Sequence, residues 1–279
     1  VTIRPDLLLA HAFPEQRQVY DARDAILYAL GLGLGRQPDD LPFLDETQLA
    51  VLPSFAITLA SPGMWIRDPA FGIDFSRLVH SAQDVTFNAP LPASGEVVGS
   101  ARVESIADRG AGRGAELVLR REIRDARDGT LHASVRQTLL LRADGGFGGE
   151  PATRAPSSIP QRPADTVADL ALSERAALIY RLSGDRNPLH IDPDFARSAG
   201  FDRPILHGLC TYAAAGVAVA RAAGASPLAI TRLAARFSAI VYPGETLRLS
   251  MWHEAVHIAF TAQVGDRKVL DSGILELTV

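Results

Sequence analysis

Only one of the 279 residues is a cysteine, Cys210. A lone thiol excludes an internal disulfide and any cysteine-based zinc site. In an Ala-rich, apolar setting it is a small buried residue rather than a nucleophile. An excess of charge of one sign is also missing. The net formal charge of −4 gives no bulk electrostatic pull toward nucleic acid or a membrane surface. No apolar run reaches membrane-spanning length. Val1 to Asp6 show no cationic stretch leading into a signal-like apolar segment, and Leu277-Thr278-Val279 differs from a peroxisomal Ser-Lys-Leu address. A cytoplasmic location is the expectation that follows. What remains, 47% hydrophobic and 22% charged, is the make-up of an ordinary globular protein. The length allows one large domain or two of about 140 residues.

The stretch richest in chemistry runs from Tyr180 to Asp192, Tyr-Arg-Leu-Ser-Gly-Asp-Arg-Asn-Pro-Leu-His-Ile-Asp. Gly184 breaks regularity before Asp185, and Pro188 disfavours helical geometry at Asn187. A turn therefore presents Asp185 and His190, where they can converge as an acid/base pair near neutral pH. The competing reading is an Asx-turn with a surface histidine, the commoner outcome for an isolated Asp-x-Asn-Pro.

Around this stretch the pattern alternates between helix and strand signals. Asp21 to Leu30 predicts a helix, capped by Asp21 or Asp24 and stopped by Gly31. Gly31-Leu32-Gly33-Leu34-Gly35 follows a helix rather than a strand, so it is no nucleotide-binding loop. Val85 to Phe87, Glu96 to Ile106, Ala115 to Asp125 and Thr130 to Arg142 predict a strand meander with an Asp128-Gly129 hairpin. Gly145 to Gly149 and the Pro/Ser-rich Pro151 to Pro163 predict a linker. Beyond it, Leu170 to Tyr180 and Asp192 to Gly200 predict short helices. Pro204-Ile205-Leu206-His207-Gly208-Leu209-Cys210-Thr211 then leads into an Ala-rich helix to about Ala223, small and apolar on every face, as in a helix buried by a curled sheet. Ala234 to Tyr242, Thr246 to Glu254, Val256 to Val264 and Val269 to Thr278 predict the closing strands. His80 and His132 stand alone in strand-like contexts and are expected to be structural or surface histidines.

The chain also matches itself. Set against Ser173 to Asp185 at a shift of 180 − 28 = 152, Asp21 to Gly33 aligns Arg23 with Arg175, Ala25 with Ala177, Tyr28 with Tyr180 and Leu30 with Leu182. At that shift Asp185 falls on Gly33 and His190 on Pro38, so the first copy has lost both side chains. Pro92-Ala93-Ser94-Gly95-Glu96 echoes Pro243-Gly244-Glu245.

Every element of Tyr180 to His190 fits the signature of the (R)-specific enoyl-CoA hydratases, hydratase 2, in the MaoC-like dehydratase family, which this chain resembles. With Ala22 to Leu30, Gly145 to Gly149, Pro204 to Thr211 and Tyr242 to Glu245, the resemblance extends to the hydratase part of peroxisomal multifunctional enzyme type 2 and covers nearly the whole chain. The resemblance implies an α+β double hot-dog fold, two antiparallel sheets each wrapping a central helix. Residues 1–150 would form a repeat without the catalytic pair, 151–165 a linker, and 166–279 the catalytic repeat. It further implies reversible hydration of trans-2-enoyl-CoA to (3R)-3-hydroxyacyl-CoA. Asp185 and His190 would be catalytic, the Gly208 N–H would hold the thioester oxygen, and Asn187 would orient the pair. A Gly at a helix N-terminus suits that role, because its N–H is unpaired and a ligand can approach closely. No metal or cofactor is expected beyond the CoA of the acyl-CoA thioester substrate. A homodimer is expected, with no nucleic-acid or membrane partner. Two rival readings share the site: a MaoC-type dehydratase of a branched, sterol-side-chain or dicarboxylic acyl-CoA, and a non-catalytic acyl-CoA-binding hot dog. Leu49 to Leu59, apolar and in the copy without the pair, is expected to open an apolar tunnel beside the live site.

Overall fold

The computed structural model describes residues 3–152 and 159–278. Its helices are α1 Pro5–Ala10, α2 Ala22–Gly31, α3 Ala176–Tyr180, α4 Pro193–Ser198 and α5 Gly208–Ala222. The strands of the first half are β1 Gln16–Tyr20, β2 Leu78–Phe87, β3 Gly95–Asp108, β4 Ala115–Asp125 and β5 Leu131–Leu141. Those of the second are β6 Thr166–Ala171, β7 Ile230–Phe237, β8 Thr246–His253, β9 Ile258–Val264 and β10 Arg267–Leu277. All ten form one antiparallel sheet in the order β1-β3-β4-β5-β2-β7-β10-β9-β8-β6. From either edge the order is first, third, fourth, fifth and second strand of a half, so the duplication is visible as a palindrome about the β2–β7 seam. The offset found in sequence holds here too, since 230 − 78 = 152 relates the start of β7 to that of β2. The fold is an α+β double hot dog whose half-sheets join edge to edge, with Asp84 opposite Ala234 and Val85 opposite Leu233.

Helix α5 lies in the curl of the second half-sheet, touching β6, β7, β8 and β10. Cys210, Tyr212, Ala213, Ala214, Ala215, Val217, Val219 and Ala220 are buried, and the Tyr212 hydroxyl donates to the Leu233 carbonyl of β7. An isolated helix of this length is marginal in water, so packing supplies its stability. On its remaining side lie α2 and α3. They cross so closely that a Cβ on Gly31 would sit 3.1 Å from Tyr180 Cα. Gly31 was expected to stop α2; it is instead the last helical residue, kept small by this approach. The paired tyrosines of the internal match, Tyr28 and Tyr180, meet at the crossing with ring centroids 5.7 Å apart.

The first half departs from expectation at its centre. The 152-residue offset maps α5 onto 56–70, but the chain there forms 3-10 turns, Pro53–Thr58, Trp65–Arg67 and Pro69–Phe71. Proline at 53, 62 and 69 and Gly63 interrupt any longer helix. Carbonyls that a helix would satisfy internally are met from outside. Arg121 of β4, itself buried, donates to Ile57 O at 2.8 Å and Leu59 O at 3.4 Å. Burial pushes its guanidinium down to about 10, still charged at neutral pH. Val51, Leu52, Phe55, Ala56, Ile57 and Leu59 pack into the main core, so this apolar run fills volume rather than standing open.

One other reading needs correction. Leu170 to Tyr180 is not one helix. Thr166–Ala171 alternates in exposure and pairs with β8 as an edge strand. Ser173 Oγ then accepts the Arg175 N–H at 3.1 Å to turn the chain into α3. The expected linker lies partly outside the described residues.

The seam carries one ion-pair fork. Arg232 Nε and Nη2 donate to Asp84 at 3.0 and 2.9 Å, and Nη1 to Glu276 at 2.8 Å. Arg232→Ala is expected to destabilise the chain by about 1–2 kcal/mol, above an isolated surface pair because the contact is bidentate and bridges two carboxylates. Denaturant unfolding should remain a single transition. A loss below about 0.3 kcal/mol would show that the backbone ladder alone holds the halves together.

Candidate active site

The loop after α3 is built by its own side chains. Asp185 Oδ1 accepts the Asn187 N–H at 3.1 Å, and Asn187 Oδ1 accepts the Leu189 N–H at 3.1 Å, starting the 3-10 turn Pro188–His190. The Asx-turn weighed against the acid/base pair is therefore present, but the histidine is not on the surface. His190 is buried, while the Asp185 side chain is 55% exposed. His190 Nε2 lies 3.9 Å from Asp185 Oδ2.

The tautomer of His190 follows from its other nitrogen. Nδ1 is 2.8 Å from the Ile205 carbonyl, which can only accept, so Nδ1 carries the hydrogen and Nε2 presents a lone pair. Burial lowers the His190 pKa, with the Ile205 bond and the Asp185 charge opposing. Two acceptors, carboxylate and imidazole, thus face each other too far apart for a direct bond. One water about 2.8 Å from each could donate to both.

Behind His190 stands a second imidazole that the sequence reading quoted without a role. His207 is the N-cap of α5 and is buried. Its ring stacks on His190 with centroids 3.7 Å apart and 27° between planes. Its Nε2 is 3.1 Å from the Asp185 backbone oxygen, so this nitrogen is the donor. Burial and the neighbouring His190 push its pKa down to about 4. Gly208 follows as the first residue of α5, exposed, with an N–H that has no intrahelical acceptor. A Cβ there would meet the Phe237 ring at 3.4 Å, an ordinary contact. Packing therefore does not demand a glycine at this position. The structure brings Asp185, His190 and the Gly208 end of α5 together through His207, while Asn187 shapes the loop that holds the first two.

The chain's matches with known proteins divide at the same place as the sheet. Residues 19–143 match the MFE-2 hydratase 2 N-terminal domain and residues 156–273 the MaoC like domain. The chain belongs to the MaoC-like hydratase 2 family. Among similar proteins, 3-hydroxyacyl-thioester dehydratase Y of Mycobacterium tuberculosis is 42% identical, with 91% of each chain covered. Peroxisomal enoyl-CoA hydratase 2 of Arabidopsis thaliana is 37% identical over 98% of this chain and 94% of the other. The crystal structure of a MaoC-like dehydratase from Phytophthora capsici superposes with a TM-score of 0.85 at 29% identity, covering 99% of both chains.

In this hydratase 2 family chain, Asp185, His190 and His207 have potential ligand atoms within 4.8 Å of one another. His190 Nδ1 and His207 Nε2 are spent on carbonyls, however. The lone pairs left over lie in two stacked rings, in nearly parallel planes, and the one on His207 Nδ1 is buried. That arrangement suits acid/base work better than a metal cage, whose ligands must converge on one point.

The first copy's counterpart loop has no such chemistry. Around Gly33 and Pro38 the prominent side chain is Asp40, whose Oδ2 accepts the N–H groups of Gly35, Arg36 and Gln37 at 2.7, 2.9 and 3.1 Å. Its Oδ1 accepts from Arg221 at 2.5 Å. His80 of β2 is half-buried and lies against Phe237, the ring beside Gly208, at 4.8 Å. The first copy therefore contributes to the wall of the site.

Burial lowers the pKa of His80, His190 and His207, the first and last to about 4. Below the ordinary imidazole value of 6.5 the unfolded chain binds more protons at these three positions than the native chain does. Their stabilising effect is complete above about 6.5 and is lost as pH falls toward about 4. The melting temperature should drop between pH 7 and pH 4.5. A flat profile would mean that the three rings are solvated.

Proposed function

We propose that this chain is a hydro-lyase that reversibly adds water to trans-2-enoyl-CoA, giving (3R)-3-hydroxyacyl-CoA. The observation that carries the reading is the placing of two facing acceptors, Asp185 Oδ2 and His190 Nε2, beside the exposed N-terminus of α5. Relatives named as an enoyl-CoA hydratase and a hydroxyacyl-thioester dehydratase support the same chemistry read in its two directions.

Water held between Asp185 and His190 attacks C3. The C–O bond forms as the C2–C3 π pair moves into the thioester, and negative charge gathers on its oxygen. Gly208 N–H, aligned with the helix dipole, donates to that oxygen most strongly in the transition state. The pair takes a proton from the water and delivers one to C2, completing addition of H and OH. Dehydration runs the same steps backward. Neutral His190 and ionised Asp185 are the forms needed to accept the proton, and burial keeps the imidazole neutral at pH 7. Asp185→Asn and His190→Ala are each expected to lower kcat at least ~100-fold with folding intact. Near-wild-type turnover in either would remove this mechanism. Chiral analysis of the product tests the (3R) assignment separately.

Substrate length is set by what borders the loop. The backbone oxygen of Thr58, at the end of the first copy's 3-10 turn, is 3.9 Å from the Cβ position of Gly184. That turn therefore borders the loop, with the apolar side chains of the Leu49 to Leu59 run packed in the core behind it. An acyl chain that finds apolar surface along this border gains roughly 0.8 kcal/mol per buried methylene. Crotonyl-, octenoyl- and hexadecenoyl-CoA should all be turned over, without a steep fall in kcat/KM beyond four carbons. Activity confined to crotonyl-CoA would reject the long-chain reading and leave the Asp185/His190 assignment standing. Preference for a branched or dicarboxylic acyl-CoA in the same panel would favour the specialised dehydratase.

A further inference from the structure

His207 touches every part of the site without lying at its mouth. It is buried, its Nε2–H reaches the backbone oxygen of Asp185, its ring covers His190, and its own peptide leads into Gly208. Ile205 pins the far end of the loop, its N–H donating to the Leu189 carbonyl at 3.2 Å and its own carbonyl accepting from His190 Nδ1 at 2.8 Å. At the near end a local turn shapes Asp185, whose Oδ1 accepts the Asn187 N–H. The bond from His207, 22 residues further on, ties Asp185 itself to the start of α5.

We infer that His207 is a positioning residue, a neutral imidazole strut that locks the Asp185/His190 pair and the Gly208 N–H into one frame. The deduction rests on the hydratase reading of the site and on the geometry of one ring. Nε2 must carry the hydrogen, because its partner is a carbonyl. Nδ1 must not, because it is buried with no acceptor and an N–H there would be stranded. Tyr180 packs on the ring at 5.1 Å, and the neighbouring titratable groups are His190, Asp185 and Arg181. The stacked pair consequently holds opposite tautomers: hydrogen on Nδ1 in His190, on Nε2 in His207. Each ring spends its N–H on a main-chain carbonyl, Ile205 for one and Asp185 for the other. Only the His190 lone pair is left facing the Asp185 carboxylate. A protonated His207 would place a cation against the His190 ring and oppose its taking a proton.

A strut of this kind acts on the alignment of the reacting groups and hardly at all on ground-state binding. Misplacement by about an ångström costs on the order of 100-fold in rate. His207→Phe keeps a stacked ring but removes the donor; His207→Gln keeps a donor that reaches the Nε2 position but removes the ring. With octenoyl-CoA, His207→Phe should lower kcat by roughly 100-fold with KM within about threefold, and His207→Gln should recover at least ~10-fold of that loss. His207→Phe equal to or faster than His207→Gln would overturn the inference, as would a loss expressed in KM alone. Both variants could be too unstable to assay, so the wild-type protein supplies an independent arm. With 15N-labelled histidine, long-range 1H–15N spectra at pH 7 should show His190 with hydrogen on Nδ1 and His207 with hydrogen on Nε2. His207 protonated at both nitrogens, or only at Nδ1, would overturn the inference whatever the variants do. Wild-type protein that shows the opposite tautomers but is inert toward every enoyl-CoA would count against the hydratase reading alone, because the tautomers are read without substrate.

Discussion

A helix with no polar face cannot be left against water, and α5 is such a helix. Burying Cys210, Tyr212, Val217, Val219 and most of its alanines requires a wall on more than one side. The second half-sheet supplies most of that wall, and α2 and α3 supply the rest. Cys210 Sγ donates to the Gly31 carbonyl at 3.4 Å where α2 ends. The C-terminal end is tied off as well, by Arg221 on Asp40. The N-terminal end stays accessible at Gly208. Enclosure of an apolar rod thus decides where an unpaired N–H is available to a ligand.

The two copies have put the same loop to opposite uses. After α3 the loop leaves the Asp185 side chain exposed, facing His190 Nε2 at 3.9 Å. After α2 it folds onto Asp40, where burial disfavours the ionised form but Arg221 and the Gly35, Gln37 and Arg36 N–H groups outweigh it and hold the pKa below the ordinary carboxylate value. A carboxylate stabilised that firmly is a poor base. It anchors the end of α5 instead, so the first copy fixes the helix on which the second copy's candidate site is mounted.

Much of this was legible in sequence because it is local. Gly184, Asn187 and Pro188 dictate a turn whatever surrounds them, and the tyrosine match announced the duplication. Asp21, Asp192 and the Ala-rich run placed their helices for the same reason. β1 and β6 were missed as strands: each is short and lies at an edge, so the alternation that marks a half-buried strand is mixed with charged and polar residues. The central helix that the resemblance implied for the first copy is absent because family likeness says which elements a repeat once had, and the prolines at 53, 62 and 69 say which it has kept. The roles of His207 and Arg121 could not be seen at all. One joins residues 22 apart through a backbone oxygen, the other joins β4 to carbonyls more than 60 residues away. Neither contact leaves a spacing to find.

The continuous ladder across β2 and β7 has a consequence for how such a chain can change. Were the same two units separate identical subunits, every substitution would appear twice, once at each site, and loss of an aspartate would silence both. Joined in one polypeptide, the units inherit mutations independently. One can be reshaped while the other keeps its Asp185 and His190, and the hydrogen-bonded seam ensures that both arrive together, in a fixed ratio of one to one.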